Sequence, residues 1–155
     1  MDGIKLNEED VRQHLNMQQD IINRMASNSS NCKTWLVTIV AALTALQISQ
    51  AAVHNYGIVM VIVTIMFWYL DAYYLMLERI HRDQEELFVA AVKKKDCEDV
   101  KKLLYSFSTK NATCKFAQVL DAMFSGSCAP FYITIGLITA FITWNDWVQS
   151  IIASL

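Results

Sequence analysis

The stretch Gly57–Leu77, GIVMVIVTIMFWYLDAYYLML, decides the fold class. It is an unbroken apolar run interrupted by one acidic residue, Asp71, and a bilayer-crossing helix needs about 20 such residues. Working outward, two further apolar blocks appear: Thr34–Gln50 (TWLVTIVAALTALQISQ) and Pro130–Ile152 (PFYITIGLITAFITWNDWVQSII). Trp35, Trp144 and Trp147 stand where interfacial aromatic belts belong. Pro130 suits the first turn of a helix, with Ser127 as a cap before it. Hydrophobic residues make up 54% of the 155-residue chain and charged residues 18%, which leaves too little polar surface to cover three apolar helices in water.

The basic residues are one-sided. Lys5, Arg12, Arg24 and Lys33 precede the first block. Arg79, Arg82, Lys93, Lys94, Lys95, Lys101, Lys102, Lys110 and Lys115 lie between the second and third. Together they account for all 13, and neither the link AAVHNY nor the tail holds any. The positive-inside rule then places the N-terminus and the long middle segment in the cytoplasm, with the short link and the C-terminus outside. The expected architecture is all-α. Residues 1–31 form a cytoplasmic segment, 32–52 the first span and 57–78 a second span continuing into the cytoplasm. Residues 79–128 form a cytoplasmic helical segment and 129–152 the third span. The start is acidic (Asp2, Glu8, Glu9, Asp10) and has no signal-peptide core.

Within the cytoplasmic parts, residues 7–26 read as a helix capped near Asn7. Its stripe Val11, Leu15, Gln18, Ile22, Met25 packs either on the protein's own helices or around an oligomer axis. The second span has no breaker before Lys95. Asp96 caps a short helix carrying Val100, Leu103, Leu104 and Phe107. Ser108–Asn111 reads as a loop and 112–124 as another helix, ended by Ser125-Gly126-Ser127.

No enzyme motif is present: the four glycines are scattered, and no nucleophile elbow or metal-ligand pair is found. Cys32, Cys97, Cys114 and Cys128 lack short spacing, so no metal or other cofactor is expected. Asp71 is the residue to weigh. It shares a helical face with Glu78, Arg82 and Glu85, and is either a structural carboxylate bonded to a neighbouring helix or an acidic group at a pore's inner mouth. Gly136 and Ala140 make a small-xxx-small pair, flanked by Thr139, Thr143 and Asp146. Thr38, Ala42, Ala45 and Ser49 repeat the theme in the first span. Such stripes are helix-packing surfaces or, in an assembly of four to six subunits, a narrow pore lining. The lysine clusters fit anionic lipid headgroups or a focused anionic-ligand site at Arg79, Lys93, Lys94, Lys95, Lys101 and Lys102.

Two stretches carry a resemblance. His14–Ala45 contains Asn23-Arg24-Met25-Ala26-Ser27-Asn28-Ser29, read as a turn, and Lys33-Thr34-Trp35 entering the first span. Phe67–Arg82 reads FWYLDAYYLMLERIHR. Both resemble a family of small bacterial membrane proteins of antiphage defence loci, and the transmembrane effector of Hailong-type systems in particular. His81 departs from the pattern, which has an aromatic residue there. The resemblance implies a homo-oligomeric channel, expected as a tetramer, in the bacterial inner membrane. It further implies gating by a nucleotide or single-stranded DNA oligomer made by a partner nucleotidyltransferase. Asn28, Asn31 and Lys33 would then sit at the inner entrance, near the membrane end of the face that carries Asp71, Glu78 and Arg82. A non-conducting anchor that recruits a cytoplasmic partner is the alternative; a small transporter lacks the inverted repeat it would need.

Overall fold

A computed structural model of the chain describes residues 8–49, 56–94, 97–107 and 116–154. Every described element is a helix: α1 (Glu8–Ile48), α2 (Tyr56–Lys94), α3 (Cys97–Leu103), α4 (Phe116–Met123) and α5 (Ala129–Ser154). The cap positions Asn7 and Asp96, the link 51–55, residue Lys95 and the segment 108–115 lie outside the described residues.

The first correction concerns α1. The cytoplasmic helix and the first span form one 41-residue rod, with no turn at 23–29. Serine and asparagine are mediocre helix formers, at a cost of about 0.5 kcal/mol each relative to alanine, so the stretch 27–31 reads locally as a break. Packing outweighs that cost. The buried stripe His14, Gln18, Ile22, Ser29, Cys32, Leu36 and Val40 runs straight through it, against an antiparallel α2 of 39 residues. The stripe of the N-terminal segment therefore packs within the subunit. Its register is shifted from the expected one: His14 joins Gln18 and Ile22 in the buried line, while Val11 and Leu15 pack at its edge.

Three core layers stack along the rods. Leu36, Val40, Cys128 and Tyr132 pack with Val63, Phe67 and Trp68. Ala72 and Met76 of α2 pack with Val119 and Ala122 of α4. Phe88 and Ala91 pack with Val100, Leu103 and the Val11/Leu15 edge of α1. α5 lies along α2: the Tyr132 hydroxyl donates to the Phe67 carbonyl at 3.2 Å, and a Cβ at Gly57 would overlap the Thr143 side chain. The turn into α5 is organised by Ser125 rather than Ser127. Its carbonyl accepts from the Cys128 and Ala129 amides, and its hydroxyl donates to the Ala122 carbonyl.

Two helices, α1 and α2, are long and apolar enough to cross a membrane, and α5 adds the apolar stretch Ala129–Asn145. The most apolar windows of α1 and α2 are only 17% and 22% buried. A soluble protein's core helix would be mostly buried; here Ile58, Ile62, Ile65, Met66, Leu137 and Phe141 all face outward.

Candidate functional site

The site is centred on Asp71, which is fully buried. Three elements converge on it. From α1, Lys33 Nζ stands 2.8 Å from Oδ2, and the Ser29 hydroxyl donates to Oδ1. From the start of α5, the Cys128 thiol donates to Oδ2 at 3.4 Å. Lys33 also donates to Ser29 Oγ at 3.3 Å. Ser29 and Lys33 are one helical turn apart, so both reach the same point on α2. A charge buried among apolar helices needs an opposite charge and filled hydrogen-bond positions, and this cluster supplies both. Beside it, Trp68 stacks on Tyr132 at 5.8 Å and donates its indole N–H to the Met123 carbonyl at 3.0 Å.

Asp71 thus has a structural role within one subunit. Its partners are a lysine, a serine and a cysteine. The other members of its face diverge. Glu78 accepts from Arg82 Nε at 2.9 Å in an i,i+4 pair, and Glu85 reaches across to Gln19 of α1. Asn28, next to Ser29, is half-buried, and Asn31, between Ser29 and Lys33 in the chain, is exposed.

Thr139 and Thr143 are both turned to bonds within their own helix in the single chain. Thr139 is buried and donates to the Gly136 carbonyl at 3.0 Å; Thr143 donates to the Thr139 carbonyl at 2.8 Å and faces Gly57. Their hydroxyl protons are used within their own helix. The Asp146 side chain lies outside the description. The small-residue faces are unused inside the subunit: open space lies beyond Gly136, and Ala140, Thr38, Ala42, Ala45 and Ser49 are exposed.

The basic residues do not gather into one site. Arg79 pairs with Asp121 at 3.0 Å. Lys94 and Lys102 line one open depression with Leu87, Ala90 and Asp99, and Lys102 stands 3.6 Å from Asp99. Lys93 lines another with Glu85 and Glu86, and Lys101 is exposed. Among the described residues, Lys94 and Lys102 share one depression.

A second buried polar locus lies near the start of α1, beside the end of α2. The His14 ring packs 4.1 Å from Phe88 and 5.0 Å from Phe107. Its Nδ1 accepts the Tyr105 amide at 3.1 Å, which assigns the ring proton to Nε2. Tyr105 has φ 58°, left-handed for a residue with a Cβ. Burial pushes the pKa of His14 below its ordinary value, and that of His81 likewise. Gln18 donates to the His81 carbonyl at 3.0 Å, tying the rods together between the two loci.

Sequence reasoning placed Lys33 near the Asp71 face without pairing the two, and it missed Ser29 and Cys128 as partners of Asp71 and His14 as a core residue. The only available signal was electrostatic: a carboxylate inside an apolar run requires a cation from some neighbouring helix. Compared with family models, curated proteins and solved structures, the chain matches none.

Proposed function

We propose that the chain crosses the bacterial inner membrane three times, through α1, α2 and α5, with its N-terminus cytoplasmic and its C-terminus outside. In this reading copies assemble, most simply as a tetramer, into a channel gated from the cytoplasm. It acts as the non-enzymatic membrane effector of an antiphage defence system. The gating ligand is a nucleotide or DNA oligomer supplied by a partner nucleotidyltransferase.

One observation carries the membrane part: the apolar runs of α1, α2 and α5 turn outward large apolar side chains such as Trp35, Ile58, Ile62, Ile65, Leu137 and Phe141, while the described basic residues lie toward one end. Water would leave that girdle unsupported, and acyl chains cover it. The assembly part is supported by the small-residue faces that the subunit does not use. Asp71 is neutralised inside the subunit, so a conducting path runs between copies rather than through one. The defence role and the ligand class rest on the resemblance of His14–Ala45 and Phe67–Arg82.

The test is conductance. Purified protein of verified oligomeric state is reconstituted in planar bilayers, and current is recorded with and without the candidate oligonucleotide. Ligand-dependent current is expected; silence in both conditions would leave the non-conducting anchor. Toxicity on expression without the partner gene gives the same answer more cheaply.

A further inference from the structure

The depth of α4 follows from the contacts α2 makes along its length. From Gly57 to Leu77, α2 rises about 30 Å, the thickness of the hydrocarbon core. α5 accompanies it over only part of that rise. Thr143 faces Gly57 at one end and Cys128 touches Asp71 at the other, a shared length of about 21 Å at 1.5 Å per residue. Beside residues 72–77 the neighbour is α4, whose Val119 and Ala122 pack on Ala72 and Met76. Its end is pinned to Trp68 through the Met123 carbonyl. Its Asp121 meets Arg79, the first basic residue beyond the apolar run.

The opposite edge of α4 presents Phe116, Leu120 and Phe124 at i, i+4 and i+8. They are 68%, 37% and 67% exposed; Phe124 packs against Trp68, while Ala117, next to Phe116, lines a depression with Met76, Arg79 and Asp83, so α4 runs from the level of Arg79 up to that of Trp68. The turn that follows also suits lipid. The amides of Phe124, Ser125, Cys128 and Ala129 all donate to carbonyls within residues 120–125, as backbone at membrane depth requires.

We infer that residues 116–124 lie in the inner leaflet, with Leu120 and Phe124 against acyl chains and Phe116 and the Arg79–Asp121 pair at the headgroups. This rests on the three-span reading, and it revises the assignment of 79–128 as wholly cytoplasmic. α4 then serves as the inner-leaflet continuation of α5 and fills the depth that α5 leaves beside α2.

Depth measurement by spin labelling tests it. In a Cys97→Ser, Cys114→Ser background, with Cys32 and Cys128 buried, single cysteines are placed at Leu120, Phe124, Phe141 and Leu87 in proteoliposomes. All four positions are exposed, so labelling removes little packing, and helical ellipticity checks each variant. Labels at 120 and 124 should match 141, relaxed by oxygen and shielded from a water-soluble nickel chelate, while 87 shows the reverse. Labels at 120 and 124 that follow 87 overturn the inference and leave the three spans standing. Labels shielded from both reagents place a second copy there, which also overturns it. Chelate access at 141 overturns the three-span reading itself, and the inference with it.

Discussion

Replacing Lys33 with methionine keeps the length of the side chain and removes its charge. The Asp71 carboxylate is then left fully buried with two hydrogen bonds, from the Ser29 hydroxyl and the Cys128 thiol. Breaking a buried ion pair from one side costs about 3–5 kcal/mol. The two surviving donors keep the expected loss near the lower end, about 3 kcal/mol. The opposite change, Asp71→Asn, should cost less, about 1–3 kcal/mol. Lys33 is 25% exposed, so its ammonium can extend along its stem to the inner interface, and the amide oxygen still accepts from Ser29. The double variant Lys33→Met/Asp71→Leu removes both charges and should fall within about 1 kcal/mol of wild type. The coupling energy between the two positions is then about 3 kcal/mol. Unfolding by SDS titration in mixed micelles, followed by helical ellipticity, reads all four proteins. Additive single effects, or a cost below about 1 kcal/mol for Lys33→Met, would refute the reasoning, because the carboxylate would then have another means of support.

Three further outcomes follow from the geometry. His14 is neutral when folded because burial holds its pKa below 6.5, so the unfolded chain takes up the proton first. Stability is therefore full above pH 6.5 and falls as the pH drops through that value. His81 acts with the same sign, so His14→Phe should remove only part of the slope, at most about 1.4 kcal/mol per pH unit. SDS titrations from pH 8 to 5 test this, and a slope unchanged in His14→Phe would contradict it. Gly57→Ala should destabilise by about 1–3 kcal/mol through overlap with Thr143, whereas Gly136→Ala, with open space before it, should be neutral or stabilising; thermal unfolding in detergent separates them. Arg79→Ala breaks an exposed pair with Asp121 and should cost under about 1 kcal/mol in the same assay.

Much of the frame was readable from residue patterning. Gly57–Leu77 announced a long helix, the absence of a breaker before Lys95 extended it, and α2 runs to Lys94. The short helices near Val100 and Val119 were also legible, from their apolar spacing. The continuity of α1 was not. The stretch Ser27–Asn31 carries local signals for a turn, and only packing against α2 overrides them. The partners of Asp71 were hidden for another reason. Ser29 and Lys33 lie about 40 residues away in sequence, and only the antiparallel register of two long helices brings them opposite Asp71. His14 looked like a polar surface residue until a left-handed tyrosine and two phenylalanines closed over it.

The same magnitudes constrain how a signal could travel if the chain gates a pore as proposed. A bound effector typically shifts a conformational equilibrium by 1–3 kcal/mol. Separating Lys33 from Asp71 costs about 3–5 kcal/mol, at or beyond what such binding supplies. Opening by rupture at the centre of the subunit is therefore disfavoured. α1 and α2 pass through this cluster without a break and are tied again by the Gln18 bond to the His81 carbonyl and by the packing of His14 on Phe88. A push at the cytoplasmic end is then carried as a tilt of the whole α1–α2 pair about the Asp71 level. The contacts that must change lie between copies, where the exposed residues Thr38, Ala42, Ala45 and Ala140 carry no charge to separate. The Lys33→Met/Asp71→Leu protein discriminates the two routes. If gating is rigid-body, its current keeps the ligand dependence of wild type; if the ion pair is the gate, that dependence is lost while the fold survives.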